Sequence, residues 1–179
     1  DDNYEKQLIL AIFPNIEAPT FNPNTLCDKA ILCPLDVDVN KINDLATNMF
    51  LSDHQKTYTS IDYTDANPDD AVHFTPEYLN TLDDNGLPQH IITLKVGQPI
   101  ILLRNVSTKR GMCNGTRLQI TKLGEYVIEA KIIAGSFTDN IVLIPRIPLS
   151  SKDDGTTPIK FTRLQFPIRP ALALTINKA

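Results

Sequence analysis

The sequence contains no tryptophan, only three cysteines and three histidines, and no apolar run that could span a bilayer. Cys27, Cys33 and Cys113 are an odd number without Cys-x-x-Cys spacing, which argues against a secreted disulfide framework and favours a reduced, intracellular setting. The histidines are far apart and match no zinc-ligand spacing, so no metal site is predicted. Because a membrane span needs about 18 to 20 consecutive apolar residues, the chain is predicted to be soluble.

What is present is ordinary for a globular protein. The chain has 179 residues, 42% of them apolar and 21% charged, which excludes collagen, coiled coil and wholesale disorder. This length suits one domain or two small ones. The acidic start does not resemble a signal peptide, and both ends are predicted to be cut points within a longer polypeptide.

The charge is unevenly divided along the chain. Residues 1–92 carry 16 acidic and 4 basic side chains, a net charge of −12, whereas residues 93–179 carry 5 acidic and 13 basic ones, a net charge of +8. Such asymmetry predicts that the second part faces a polyanion such as a nucleic acid. An ordinary solvated sheet face with lysines on it explains the charge alone equally well.

The first part of the sequence has the pattern of an α/β element. Residues 29–34 form a short apolar run that ends at Pro34 and is typical of a buried strand in a parallel sheet. A helix is predicted next, with Asp36 as its cap and an apolar stripe made of Val39, Ile42, Ala46 and Met49. Residues 52–73 are polar and acidic and predict a connecting loop. A second short helix is predicted from Thr75 and Pro76 to the Asn85-Gly86 pair.

From His90 onward the apolar residues alternate with a period of two, which predicts β-strands. Five candidates follow one another: HIITLKVG (90–97), PIILLRNV (99–106), TRLQITKLG (116–124), YVIEAKIIAG (126–135) and NIVLIPRIPL (140–149). Strands this short and closely joined suggest a small barrel. A last apolar strand at 171–176 is predicted to return to the first part, so the β module interrupts an α/β element.

Several blocks of the sequence together resemble one protein family. They are AILCP (30–34), LDDNGLPQH (82–90), GQPIILLRNV (97–106), GMCNGTRLQITKLG (111–124), VIEAKIIAG (127–135), VLIPRIPL (142–149) and FPIRPALALTINKA (166–179). In this order they resemble the second motor domain of the Pif-type superfamily-1 DNA helicases, most of all the Helitron-like branch. The resemblance runs from about Lys29 to the end of the sequence.

The resemblance implies a fold of class α/β plus β, in which a partial RecA-like domain (2A) carries an inserted SH3-like β-barrel (2B). The implied boundaries are 1–51 for the first part of 2A and 52–92 for a connecting loop with a short helix. The 2B barrel then covers 93–163, and 164–179 is the return strand of 2A that ends in the TINKA motif.

The resemblance also implies a function, that of a C-terminal fragment of an ATP-dependent 5′ to 3′ DNA helicase. In the family the TINKA positions lie at the single-stranded DNA groove, and here they are Thr175, Asn177 and Lys178. None of the seven glycines precedes a lysine, so the P-loop pattern is absent. ATP and Mg²⁺ would bind mainly outside this fragment, which is not expected to be active alone. Leu35-Asp36 stand where the family often has a basic residue and Asn, and no arginine finger is assigned.

Four basic residues of the β module are further candidates for DNA contact, namely Lys109, Arg110, Arg104 and Arg117. For each of them a solubilising surface charge is the rival interpretation, and Arg104 could instead be a structural residue. Since aromatic residues make up only 7% of the chain, base stacking is expected to contribute little, and binding without strong sequence preference is expected.

The implied partners are single-stranded DNA and the first RecA-like motor domain of the same polypeptide, with no membrane. The implied location is the nucleus. Two other functions remain open: a free-standing SH3-like module that binds nucleic acid or protein, and an inactive remnant of a transposon.

Overall fold

Twelve short strands and three helices make up the computed structural model, which describes residues 2–64, 74–84, 86–152, 155 and 157–176. The helices are α1 (Asp2–Ile12), α2 (Asp36–Met49) and α3 (Pro76–Asn80), with 3-10 turns at Pro23–Leu26 and Thr108–Arg110. The strands are β1 (Ile31–Cys33), β2 (Gln55–Thr59), β3 (Ile61–Tyr63), β4 (Ile91–Lys95), β5 (Pro99–Leu102), β6 (Arg117–Leu123), β7 (Val127–Ile132), β8 (Ile141–Pro145), β9 (Ile147–Ser150), β10 (Thr162–Gln165), β11 (Ile168–Pro170) and β12 (Ala173–Thr175). No helix among the described residues is both long and apolar enough to cross a membrane.

The α/β part is built on two parallel strands from opposite ends of the sequence. β1 pairs with β12, and Cys33 lies opposite Thr175. Asn43 of α2 joins the pair, because its Nδ2 donates to Ala173 O at 3.1 Å and its Oδ1 accepts from the Leu172 and Ala173 N–H groups at 3.0 and 2.8 Å. The predicted return of the last strand to the first part of the chain is therefore confirmed.

Helix α2 closes the core of this part with the predicted apolar stripe. Val39, Ile42 and Ala46 are buried and belong to a cluster that also contains Phe13 of the segment after α1. The prediction that Asp36 caps the helix was wrong, since α2 begins at Asp36 and its capping residue Leu35 makes no side-chain hydrogen bond. The Asp36 carboxylate is bound instead to side chains near the end of the chain, as described below.

The β module contains a five-stranded antiparallel sheet in the order β11-β5-β6-β7-β8. Its inward residues, which include Ile100, Leu118, Ile128 and Ile144, are fully buried in one cluster. Within the described residues the end strands β8 and β11 do not pair with each other, so their hydrogen bonds do not close a barrel. The predicted fold class, an α/β part combined with a β module, is confirmed.

The prediction of a connecting loop over residues 52–73 was wrong in its first half. β2 pairs with β4, and β3 pairs with β10 in a three-stranded sheet with β9. The strands escaped the sequence analysis because their buried face is partly polar: Ser60 and Asp62 are buried beside Tyr58. Alternation of apolar with polar residues is the usual signal for a strand. Residues 65–73 lie outside the described residues.

Helix α3 begins as predicted and ends earlier. The Thr75 hydroxyl accepts the Tyr78 N–H at 3.3 Å, and Pro76 occupies the first turn. The helix stops at Asn80, because the Thr81 N–H turns back to the Tyr78 carbonyl. The predicted end at the Asn85-Gly86 pair was therefore wrong, and Asn85 lies outside the described residues.

The strand candidates from residue 90 onward are confirmed, with one of them divided. The candidate at 140–149 splits into β8 and β9, and these belong to different sheets. β11 pairs with β5 of the β module although it falls in the predicted return segment 164–179. The domain boundaries themselves stay a prediction.

Polar contacts join the β module to the α/β part. Gln98 Nε2 donates to Thr47 Oγ1 at 2.6 Å, and the buried Lys95 Nζ donates to Phe50 O, also at 2.6 Å. Burial lowers the pKa of Lys95, since an ammonium group loses its hydration there. The two parts are thus fixed to each other by specific hydrogen bonds.

Candidate nucleic-acid interface

Three side chains meet where β12 ends and α2 begins, and we call them the Asp36 cluster: Asp36, Arg169 and Thr175. Thr175 Oγ1 donates to Asp36 Oδ1 at 2.9 Å, and Arg169 Nη1 donates to the same oxygen at 3.1 Å. The side chains of Arg169 and Asp36 are 11% and 24% exposed, so the cluster lies at the edge of the fold. Thr175, a predicted DNA contact, is therefore held by a carboxylate.

Arg169 has more donors than the described residues satisfy. Its Nε and Nη2 atoms are inaccessible to solvent, and neither has a hydrogen-bond partner within the part of the chain that the structure describes. A buried donor without an acceptor costs free energy. The Asp36 cluster thus contains a guanidinium group with unused capacity for an acceptor.

Arg117, another predicted contact, points inward and serves as a connection between the two parts of the molecule. Its guanidinium donates to the carbonyl oxygens of Cys27, Lys29 and Ala171 at 3.3, 3.3 and 3.4 Å. Burial lowers the pKa of Arg117 and raises that of the nearby Cys27 thiol. Its observed contacts are with the backbone, which fits a structural use of this residue.

Arg104 is half-buried at the end of β5. Its Nη1 donates to the carbonyl of the preceding Leu103 at 3.0 Å. An ideal Cβ placed on Gly86 would lie 3.3 Å from Arg104 Nη2, so the guanidinium packs against that glycine. The structural alternative that the sequence left open for Arg104 is consistent with these contacts.

Lys109 and Arg110 are both exposed, in the 3-10 turn between β5 and β6. The turn is ended by Gly111, whose φ of +76° favours glycine. The Phe137 ring packs so closely here that a Cβ on Gly111 would lie 2.6 Å from it. The two cations are therefore presented to solvent from a well-packed turn.

A groove adjoins the turn that carries Lys109 and Arg110, since Gly111 is one of its lining residues. It is a cavity of about 560 Å³. Its lining combines residues of both parts of the molecule, among them Leu32 and Leu174 on one side and Gly111, Arg117 and Phe137 on the other. Among the predicted contact residues that the structure describes, Arg117 lines the groove, whereas Lys109, Arg110 and Thr175 do not.

Two of the predicted contact residues, Asn177 and Lys178, lie outside the described residues. The structure therefore brings Thr175 beside Asp36 and Arg169, and it presents Lys109 and Arg110 to solvent on the turn between β5 and β6. Arg117 donates to three backbone carbonyl groups and Arg104 to one. Arg169 was missed by the sequence analysis, because its alternation within β11 carries no signal of a partner 133 residues away.

A further arginine is used entirely inside the protein. Arg163 is 1% exposed and binds the buried Asp62 through three hydrogen bonds of 2.7 to 3.1 Å. The same guanidinium donates to the carbonyl oxygens of Leu79, Leu82 and Pro88. Not all of the positive charge in the second half is therefore available to a polyanion.

The comparisons with known proteins agree with this architecture. Residues 77–123 match the family model described as the 2B domain of the DNA helicase Pif1. The predicted resemblance to the Pif1-type helicases is thus confirmed, in sequence over these residues and in fold over nearly all of the chain.

Solved structures of Pif1 helicases show the fold match. A Bacteroides Pif1 bound to single-stranded DNA is 20% identical, with a TM-score of 0.57, and the match covers 94% of this chain and 39% of that one. Pif1 helicase from Candida albicans is 18% identical, with a TM-score of 0.56 and coverages of 96% and 44%. A Bacteroides Pif1 in complex with ADP-AlF3 and single-stranded DNA is 17% identical, with a TM-score of 0.56 and coverages of 95% and 39%.

The chain thus spans about two fifths of the length of these helicases. None of the curated proteins matches the chain significantly in sequence.

Proposed function

We propose that this chain is part of an ATP-dependent DNA helicase of the Pif1 type that moves in the 5′ to 3′ direction, and that it supplies single-stranded DNA binding and one face of the motor cleft. The observation that carries the proposal is the match of residues 77–123 to the Pif1 2B domain. The single-stranded DNA in two of the similar Bacteroides structures supports the choice of ligand.

Binding depends mainly on phosphate contacts. Lys109 and Arg110 are exposed on the turn between β5 and β6, whereas Thr175 is only 9% exposed and is bound to Asp36. Contacts between cationic side chains and phosphates release counterions, so they are independent of sequence and weaken as salt rises. The proposal also includes Asn177 and Lys178 as DNA contacts, and both lie outside the described residues.

ATP and Mg²⁺ belong to the whole helicase in this proposal. The ADP-AlF3 in a similar Bacteroides Pif1 supports a nucleotide in the motor. The residues of this chain do not fit the phosphate site by themselves, because no glycine precedes a lysine and the P-loop pattern is missing. The 179-residue chain alone is expected to hydrolyse no ATP.

The proposal extends to partners and location. The first RecA-like motor domain of the same polypeptide is the expected partner across the motor cleft, together with single-stranded DNA and without a membrane. The nucleus is the proposed location.

Fluorescence anisotropy with a labelled oligothymidine of about 15 nucleotides tests the proposal directly. The chain should bind at about 50 mM salt and lose much of its affinity at about 200 mM.

Substituting both Lys109 and Arg110 by alanine should weaken binding and reduce the salt slope by about 2. The matched control removes the two exposed lysines Lys152 and Lys160, and it should leave most of the affinity intact. Equal affinity at low and high salt would contradict the phosphate-contact account.

A further inference from the structure

The Thr175 hydroxyl has a single proton, and that proton is committed. Thr175 Oγ1 donates to Asp36 Oδ1 at 2.9 Å. A hydroxyl offers one donor and two acceptor positions, whereas a phosphodiester oxygen can only accept. Thr175 therefore has no proton to give to a DNA phosphate for as long as its bond to Asp36 persists.

The Arg169 guanidinium is engaged by the same carboxylate oxygen. Its Nη1 donates to Asp36 Oδ1 at 3.1 Å, while its buried Nε and Nη2 have no acceptor within the described residues. Arginine and threonine are both common phosphate ligands. Asp36 thus occupies two donors of the kind that a phosphate uses.

We propose that Asp36 acts as an internal substitute for a phosphate and thereby limits the DNA affinity of the Asp36 cluster. Binding exchanges the carboxylate oxygen for a phosphate oxygen on Thr175 and Arg169. The partial exposure of Asp36, 24% of its side chain, gives the carboxylate room to leave. This inference rests on the proposed function, because it concerns the same DNA-binding surface.

The decisive variant is Asp36→Asn, which keeps the shape of the side chain and removes its charge. A hydrogen bond to a carboxylate is about twice as strong as one to a neutral amide, so the variant holds Thr175 and Arg169 less firmly. We expect the oligothymidine to bind about fivefold more tightly, the effect of one ordinary hydrogen bond. The gain should disappear when Thr175→Val is added.

The matched control is Asp38→Asn. Asp38 lies in the same first turn of α2, so this variant removes the same charge from nearly the same place. Its effect on affinity should stay below about twofold, which is the part that general electrostatic repulsion contributes. A gain in Asp36→Asn that exceeds the control and depends on Thr175 supports the competition.

Two outcomes separate this inference from the proposed function. Salt-dependent binding of the unaltered chain, combined with equal affinities for Asp36→Asn and Asp38→Asn, overturns the inference and leaves the proposed function standing. Absence of binding by the unaltered chain and by both variants overturns both. Thermal melting checks that each variant is folded. If Asp36→Asn does not fold, Asp36→Ala takes its place in the same comparison.

Discussion

The structure contains two pairs of arginine and aspartate that differ in how completely they are enclosed. The side chains of Arg163 and Asp62 are 1% and 0% exposed. Besides their mutual bonds, Ser60 donates a hydrogen bond to the carboxylate, and the guanidinium donates to three carbonyl groups. Arg169 and Asp36 lie at the edge of the fold and leave guanidinium atoms without an acceptor among the described residues.

This comparison shows how one ion pair can be part of the core and another part of a binding surface. A buried pair has to satisfy all of its hydrogen-bonding groups within the protein, because water is not available to them. The Arg169–Asp36 pair is less completely satisfied, and its carboxylate is 24% exposed, so water or a ligand can reach the carboxylate side of the pair. The two pairs should therefore respond differently to loss of the carboxylate.

The largest effect is expected when the enclosed pair is broken. Asp62→Ala leaves Arg163 charged, buried and without its carboxylate, so the free energy of unfolding should fall by about 3 to 5 kcal/mol. Urea denaturation followed by circular dichroism measures this loss. A fall below about 1 kcal/mol would show that the three carbonyl acceptors are sufficient for Arg163.

The second effect concerns the strand that carries Thr175. Asn43→Ala removes three hydrogen bonds to Leu172 and Ala173 and leaves their buried backbone groups unpaired. We expect the free energy of unfolding to fall by about 2 to 3 kcal/mol. Asn40, a half-buried residue on the same helix that takes no part in this contact, provides the control, since Asn40→Ala should change stability by less than about 0.5 kcal/mol.

An intermediate loss of stability is expected for Arg117, whose observed acceptors are carbonyl groups. Arg117→Lys keeps the charge but loses the fork that reaches three carbonyl groups, so a loss of about 1 kcal/mol is expected. The same urea titration measures it. An unchanged midpoint would mean that these contacts of 3.3 to 3.4 Å add nothing to the connection between the parts.

The smallest effect on stability is expected at the edge pair, Arg169 and Asp36. Asp36→Asn preserves an acceptor for Arg169 and Thr175, so the free energy of unfolding should change by less than about 1 kcal/mol. The contrast with Asp62→Asn, measured under the same conditions, sharpens the comparison. Equal losses in the two variants would contradict the distinction between an enclosed pair and an edge pair.

Much of the fold could be predicted because its signals are local. The strands from residue 90 onward alternate with a period of two, and Thr75-Pro76 is a local helix start. β2 and β3 could not be predicted, because the arginine that satisfies the buried Asp62 carboxylate comes much later in the chain. Arg163 follows Asp62 by 101 residues.

The candidate interface was predictable only in part. Lys109 and Arg110 are exposed as a solvated turn suggests, whereas the inward direction of Arg117 depends on carbonyl groups about 90 residues away. Asp36 was interpreted as a helix cap, since an acidic residue before an apolar stripe usually is one. Two of its partners in the structure are Arg169 and Thr175, and the pairing of β1 with β12 brings Thr175 to it.

That pairing has a consequence for how the chain folds during synthesis. Asn43 can form its hydrogen bonds to Leu172 and Ala173 only after these residues have been synthesised, about 130 residues later. At the usual pace of about 5 to 20 residues per second, the ribosome needs several seconds to deliver them. The β module can form its hairpins in that interval, and the α/β core is completed last, when β12 emerges.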